Sequence, residues 1–258
     1  MAYDAHIHLD HVDYDADRDD VIARAHATGV EGWTVVGSDP ARWDLAVSLA
    51  RATCAPVACG VHPWQAPDLD EAALQSLLAR LVSLPVQAIG EFGLDALWAP
   101  TPLARERQRS AVRHQLALAR ERGLPVVFHA VRAVPELLTL AERDGVPDCG
   151  GQWHAWSGPP DQIGRALALG HAISFGPLVL RDRAMRARKS VPLVPLDRLL
   201  VETDGPSMAP IGVVRGEMAH IHEVIREVAA LRGESVHVVE AATQDNARRL
   251  FSARSAER

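Results

Sequence analysis

Eight short β-branched or apolar runs recur along this chain, separated by stretches of helical periodicity, and that alternation is the strongest constraint on its fold. Strands are expected near Tyr3–Ile7, Gly32–Val36, Val57–Val61, Val86–Glu91, Val126–His129, Gly151–His154, His171–Phe175 and Leu199–Glu202. Between them, helical patterns cover Asp17–Thr28 (closed by Gly29), Arg42–Ala52, Asp70–Val82 (before Pro85) and Leu103–Arg122 (closed by Gly123). Pro135–Arg143 begins with proline and Pro160–Leu169 ends at Gly170, the order that helix termini favour. Strands and helices in this order predict one parallel (β/α)8, or TIM, barrel spanning 1–258 as a single domain; such barrels commonly use about 250 residues. The closing stretch Glu234–Phe251 reads as two short helices docked on the outside, with Val236, Val239, Ala242 and Leu250 spaced as a packing face.

Hydrophobic residues make up 48% of the chain, enough for a sizeable core. No apolar run approaches the roughly 20 residues that cross a bilayer. The first residues carry neither a basic n-region nor an apolar h-region, and Cys54, Cys59 and Cys149 lack disulfide-framework or zinc-finger spacing. A cytoplasmic protein is the expectation. The net charge of −6 excludes a protein that coats duplex DNA through a broad basic face. It leaves room for an enzyme that grips a few phosphates around bound divalent ions.

The ionisable residues fall in a pattern. His6 and His8 flank Ile7 on the first strand, and period-two alternation turns both imidazoles to one side. Glu91 ends the fourth strand, His129 the fifth and His154 the sixth, while Asp204 follows the eighth. In a barrel these strand ends converge on the face where active sites are built. Nitrogen and carboxylate donors in this mixture suit Mg2+, Mn2+ or Zn2+. With Glu91 bridging, they suit two divalent ions about 3.5–4 Å apart.

Ordered motifs run the length of the chain: Asp4-Ala5-His6-Ile7-His8-Leu9-Asp10, Gly60-Val61-His62-Pro63, Gly90-Glu91-Phe92-Gly93-Leu94-Asp95 and Leu124-Pro125-Val126-Val127-Phe128-His129. They continue through His154-Ala155-Trp156-Ser157-Gly158, Pro195-Leu196-Asp197-Arg198-Leu199-Leu200-Val201-Glu202-Thr203-Asp204 and Asn246-Ala247-Arg248-Arg249-Leu250-Phe251. In these the chain resembles the TatD-like metal-dependent deoxyribonucleases of the amidohydrolase superfamily. The resemblance implies a TIM barrel with metals held by His6, His8, Glu91, His129, His154 and Asp204. It also implies hydrolysis of DNA phosphodiesters, often from a 3′ end. Three departures stand out. Asp95 is followed by Ala96-Leu97-Trp98 where members commonly carry tyrosine, and His129 by Ala130-Val131-Arg132 where Ser-Arg is usual. Arg215-Gly216-Glu217-Met218 replaces an Arg-Asn-x-Pro segment on the substrate side.

The expected catalytic groups are Glu91 and Asp204, the latter taking a proton from water, with His62 touching a phosphate or the leaving oxygen. Arg132 is expected to do the family arginine's work from a shifted position, and Trp156 is the best placed of Trp64, Trp98 and Trp156 to stack on a base. Five basic residues within Arg181–Lys189 read first as a solvated helix face and second as a phosphate-gripping rim. The expected substrate is DNA, single-stranded or at 3′ ends. Two rivals are a metal hydrolase of a small lactone, cyclic amide or phosphoester, and a barrel serving as a subunit of a larger assembly.

Overall fold

The computed structural model describes residues 1–252, so the last six residues of the expected domain lie outside the described residues. In chain order the elements are β1 (Ala2–Ile7), α1 (Arg18–Ala27), β2 (Val30–Gly37), α2 (Trp43–Ala52), β3 (Val57–Cys59), α3 (Glu71–Ser83), β4 (Ala88–Asp95) and α4 (Pro102–Arg122). They continue with β5 (Val126–Val131), α5 (Val134–Asp144), β6 (Gly151–Trp153), α6 (Ile163–Ala168), β7 (Ala172–Phe175), α7 (Met185–Ser190), β8 (Leu199–Val201), α8 (Ile221–Arg232) and α9 (Val236–Phe251). All eight strands lie parallel in sequence order, the topology the alternation predicts. Among the described residues no helix is long and apolar enough to cross a membrane.

Local chemistry sets the element ends. Asp70 accepts the N–H of Ala73 at 2.8 Å ahead of α3, and Thr101 accepts that of Ala104 at 3.1 Å ahead of α4. Gly123 and Gly233 end α4 and α8 in the left-handed conformation that costs glycine no Cβ strain. Large buried side chains such as Trp43, Leu81, Leu116, Phe92 and Phe128 fill the layer between strands and helices.

The C-terminus departs from expectation. Glu234–Phe251 holds one sixteen-residue helix, α9, capped by the Ser235 hydroxyl on Val238 N at 3.2 Å. No glycine or proline interrupts it, so nothing breaks the ladder. Nor is it merely docked outside. Ala247 and Leu250 pack against Tyr3, Ala5, Ala172 and Leu200, while Phe251 meets Val36, Ala58, Ala88 and Val127. These residues come from seven strands' worth of barrel wall, save β6, so the end of α9 plugs the N-terminal mouth. Val239 belongs to the packing face as expected, but Val236 is 45% exposed and does not.

Candidate metal centre

The barrel seam is also the start of the site. Asp204 N donates to His6 O at 3.0 Å, and His8 N donates to Gly205 O at 3.0 Å, tying the chain after β8 to the end of β1. Buried Asp4 spans the same seam, accepting His6 N at 3.2 Å and Thr203 N at 2.9 Å. Asp204 itself has φ +52° and Ala155, next to His154, has φ +40°. Non-glycine residues adopt this region only where surrounding structure holds them, and such positions concentrate at functional sites. Across the barrel, Gly93 lies opposite His129 in the β4–β5 register, and a Cβ there would collide with the His129 carbonyl. Only glycine lets β4 lie that close to β5.

Six of the expected residues meet around one point. His6 Nε2 and His8 Nε2 stand 3.3 Å apart, 3.4 and 3.5 Å from Glu91 Oε2. The same nitrogens are 3.7 and 3.2 Å from Asp204 Oδ1. The other Glu91 oxygen, Oε1, faces His129 Nδ1 at 2.6 Å and His154 Nε2 at 3.3 Å. Glu91 thus turns one oxygen to each of two clusters. Compact donor groups form around both: His6, His8 and Asp204, and His62, Glu91 and His129, with ligand atoms within 4.8 Å of one another.

The donor set fits divalent cations. The outer nitrogens of three histidines each face an oxygen: His8 Nδ1 lies 2.8 Å from Val36 O, His154 Nδ1 2.8 Å from Glu202 Oε1, and His129 Nε2 3.4 Å from Asp95 Oδ2. An N–H placed outward on each leaves the inner nitrogen with its lone pair toward the carboxylates, the arrangement of metal-ligating imidazole. Burial would push Glu91 up, but His154, His62, His129 and His6 hold its carboxyl well below the ordinary value. Burial opposes charge on His8 and His154 too, yet neighbouring carboxylates draw their pKa values up to about 9 and about 10. The cluster calls for positive charge, which divalent ions supply while leaving the imidazoles neutral.

His62 differs from the others. Its Nδ1 accepts Trp64 N at 3.3 Å, so its N–H sits on Nε2 and points into the site, 3.3 Å from His129 Nδ1 and 3.5 Å from Glu91 Oε1. Burial pushes its pKa down to about 4. His62 is therefore a neutral donor near pH 7.

A cavity of about 310 Å³ opens above this cluster, walled by His8, His62, Trp64, His129, His154 and Asp204 among others. Two expected substrate contacts do not reach it. Trp156 is 2% exposed, its Nε1 donates to Ser190 Oγ at 3.2 Å and its ring meets Trp153 edge-on. The left-handed turn at Ala155 sends it under the loops, so it offers no face to a base. Arg132, with φ +53°, turns outward into a separate cleft beside Arg105 and Glu136. The basic stretch after β7 stays off the wall as well; Arg188 pairs with Glu227 at 2.6 Å. Arg215 is held by Asp17 at 2.7 Å and lies over the Tyr14 ring, away from the cavity. Sequence reasoning missed Glu202, whose Oε1 lies 2.8 Å from His154 Nδ1 and which accepts from Gln152 Nε2 at 2.8 Å and from Ala155 N at 2.7 Å. Its one signal was its place two residues before Asp204.

A parallel eight-stranded barrel with histidines and carboxylates gathered at its C-terminal strand ends defines a metal-dependent hydrolase. Comparison with known proteins agrees. Residues 3–252 match the family model described as TatD related DNase, and the chain belongs to that family. It is 35% identical to the metal-dependent hydrolase YcfH of Escherichia coli K12, over 96% of this chain and 94% of the relative. It is 33% identical to a protein of Pantoea vagans named 3'-5' ssDNA/RNA exonuclease TatD, over 96% and 98%. Among solved structures, the TatD homolog YJJV of E. coli K12 superposes with a TM-score of 0.89 at 29% identity, covering 98% of both chains.

Proposed function

We propose that this chain, acting as one hydrolase domain, is a divalent-metal-dependent deoxyribonuclease that shortens single-stranded DNA from the 3′ end. The observation that carries the reading is Glu91, whose two oxygens serve two clusters of nitrogen and carboxylate donors. His6, His8, Glu91 and Asp204 would hold one ion, and Glu91, His129 and His154 the other. Bound there, Mg2+, Mn2+ or Zn2+ supplies a water of lowered pKa and positive charge against the phosphate oxygens.

The chain's own groups do the rest. Asp204, whose Oδ1 lies 3.2 Å from His8 Nε2 at the edge of the cavity, would accept the attacking water's proton. His62 Nε2–H points into the cavity as a neutral donor for a non-bridging or leaving phosphate oxygen. The relative named as a 3'-5' ssDNA/RNA exonuclease supports nucleic acid as the substrate class and 3′ polarity. The replaced segment Arg215–Met218 is absent from the cavity wall, so it gives no structural ground for a small substrate instead.

The test uses metal-stripped protein, 5′-labelled single-stranded DNA and added Mg2+, Mn2+ or Zn2+. Products shortened stepwise from the 3′ end, lost in Glu91→Ala and Asp204→Ala, are the expected outcome. Protein that binds metal yet cleaves no DNA with any ion would overturn the reading.

A further inference from the structure

The best exposed aromatic surface near the site belongs to two tryptophans that stack on each other. Trp64 and Trp98 are 44% and 54% exposed, with ring centroids 5.2 Å apart and planes 29° from parallel. They follow β3 and β4, and Trp64 lines the cavity. Trp64 is fixed: its Nε1 donates to Asp95 Oδ2 at 2.9 Å, and its ring meets the inward-pointing His62 edge-on at 4.6 Å. Asp95 in turn faces His129 and accepts Leu97 N at 2.9 Å through Oδ1. Trp98 N donates to Asp95 O at 3.2 Å, and the buried Ala99 beside it is gripped by Arg105 Nε on its carbonyl at 3.1 Å. The loop therefore sets the exposed Trp98 ring on the outer side of Trp64, and Trp64 is the member of the pair that lines the cavity.

We propose that the Trp64–Trp98 pair, with Trp98 as its outer ring, is the platform on which a nucleobase next to the scissile phosphate stacks. The proposal rests on the nuclease reading and adds the part of the substrate that the site recognises. Every base has a π-face, so a ring pair of this kind accepts single strands of any sequence. The basic run after β7 lies off the cavity wall in a chain of net charge −6, so it does not line the metal cavity. Stacking supplies affinity that salt screens little.

Trp98 is the position to change, because Trp64 is bonded to Asp95 and so to the ligand side of the site. The test uses metal-loaded protein and three single-stranded oligonucleotides of one sequence: intact, with an abasic residue at the 3′ end, and with one at the penultimate position. We expect the wild type to lose about tenfold in kcat/KM on one of the abasic strands. We expect Trp98→Ala to raise KM about tenfold on the intact strand, with the loss on KM rather than kcat, and to treat all three strands alike. Tenfold corresponds to about 1.4 kcal/mol, within the range of base–aromatic stacking. Trp98→Phe recovers most of the discrimination, and metal content stays that of the wild type. A wild type that cleaves all three strands equally, or a Trp98→Ala variant that still discriminates, overturns the platform while leaving the nuclease standing. A metal-loaded wild type that cleaves none of them overturns both.

Discussion

Asp204 N donates to the carbonyl of His6 at 3.0 Å, so two of the proposed metal ligands close the barrel seam by a bond between their main chains. Site and closure are one structure. Asp4 ties the same seam by accepting His6 N and Thr203 N with its buried carboxylate. Asp4→Ala leaves these donors unpaired, at about 1–3 kcal/mol each. The measurement is hydrogen exchange at Thr203 and Asp204, expected to speed up together with a weaker metal affinity. Unchanged exchange would separate the seam from the site.

Glu202 touches His154 from outside the cluster and accepts from Gln152 and Ala155 as well. Glu202→Gln puts an amide donor against one of these donors and loosens the imidazole. Metal affinity is expected to fall about 10–100-fold, the usual effect of losing such an outer partner. Chelator competition followed by metal analysis checks it; wild-type affinity would show that Glu202 serves packing alone.

Metal binding should stabilise the fold by mass action, by about 2.7 kcal/mol at a free concentration one hundred times Kd. Chelator-treated protein is therefore expected to gain several degrees in Tm on adding Mn2+ or Zn2+. Glu91→Gln, which weakens both halves of the cluster, should abolish the gain. A full gain in that variant would place the ions elsewhere.

His171 lies stacked on Phe128 with neither ring nitrogen hydrogen-bonded to another group of the protein, and burial, aided by Arg198, pushes its pKa down to about 3. Its ordinary value is 6.5. The folded state keeps it neutral while the unfolded chain takes up a proton, so its contribution is fully present above pH 6.5 and is lost as the pH falls toward 3. The slope reaches about 1.4 kcal/mol per pH unit. Urea denaturation of His171→Leu is expected to show less loss of stability than the wild type between pH 6 and about pH 4. Parallel curves would show that the imidazole finds a partner when protonated.

Phe251 is 2% exposed in the N-terminal mouth of the barrel. Phe251→Ala opens a cavity there and should cost about 3 kcal/mol or more. Chemical denaturation measures it; a cost below about 1 kcal/mol would mean that the mouth collapses around the gap.

How much of this was legible in the sequence follows the range of the forces. Strand and helix order came through because β-branched runs, Gly29, Gly123 and the prolines act within a few residues. The ligand cluster came through for a related reason. Period-two alternation turns His6 and His8 together, and the parallel barrel brings Glu91 and His129 together with His154; Glu91 and His129 lie inside β4 and β5, which run on to Asp95 and Val131, rather than at the strand ends expected. Side chains beyond the strand ends did not. Trp156 and Trp64 look alike in sequence, yet the sign of φ at Ala155 buries one, while the Asp95 bond holds the other in the cavity wall.

By itself, then, the sequence determined the barrel, its order and the residues at its strand ends, because those depend on local periodicity and on one global closure rule. Tertiary structure decided that Glu202 backs His154, that Arg132 faces away, that α9 plugs the barrel and that Trp98 stands exposed on Trp64. Each of these depends on contacts between segments far apart in the chain, whose geometry no local pattern encodes.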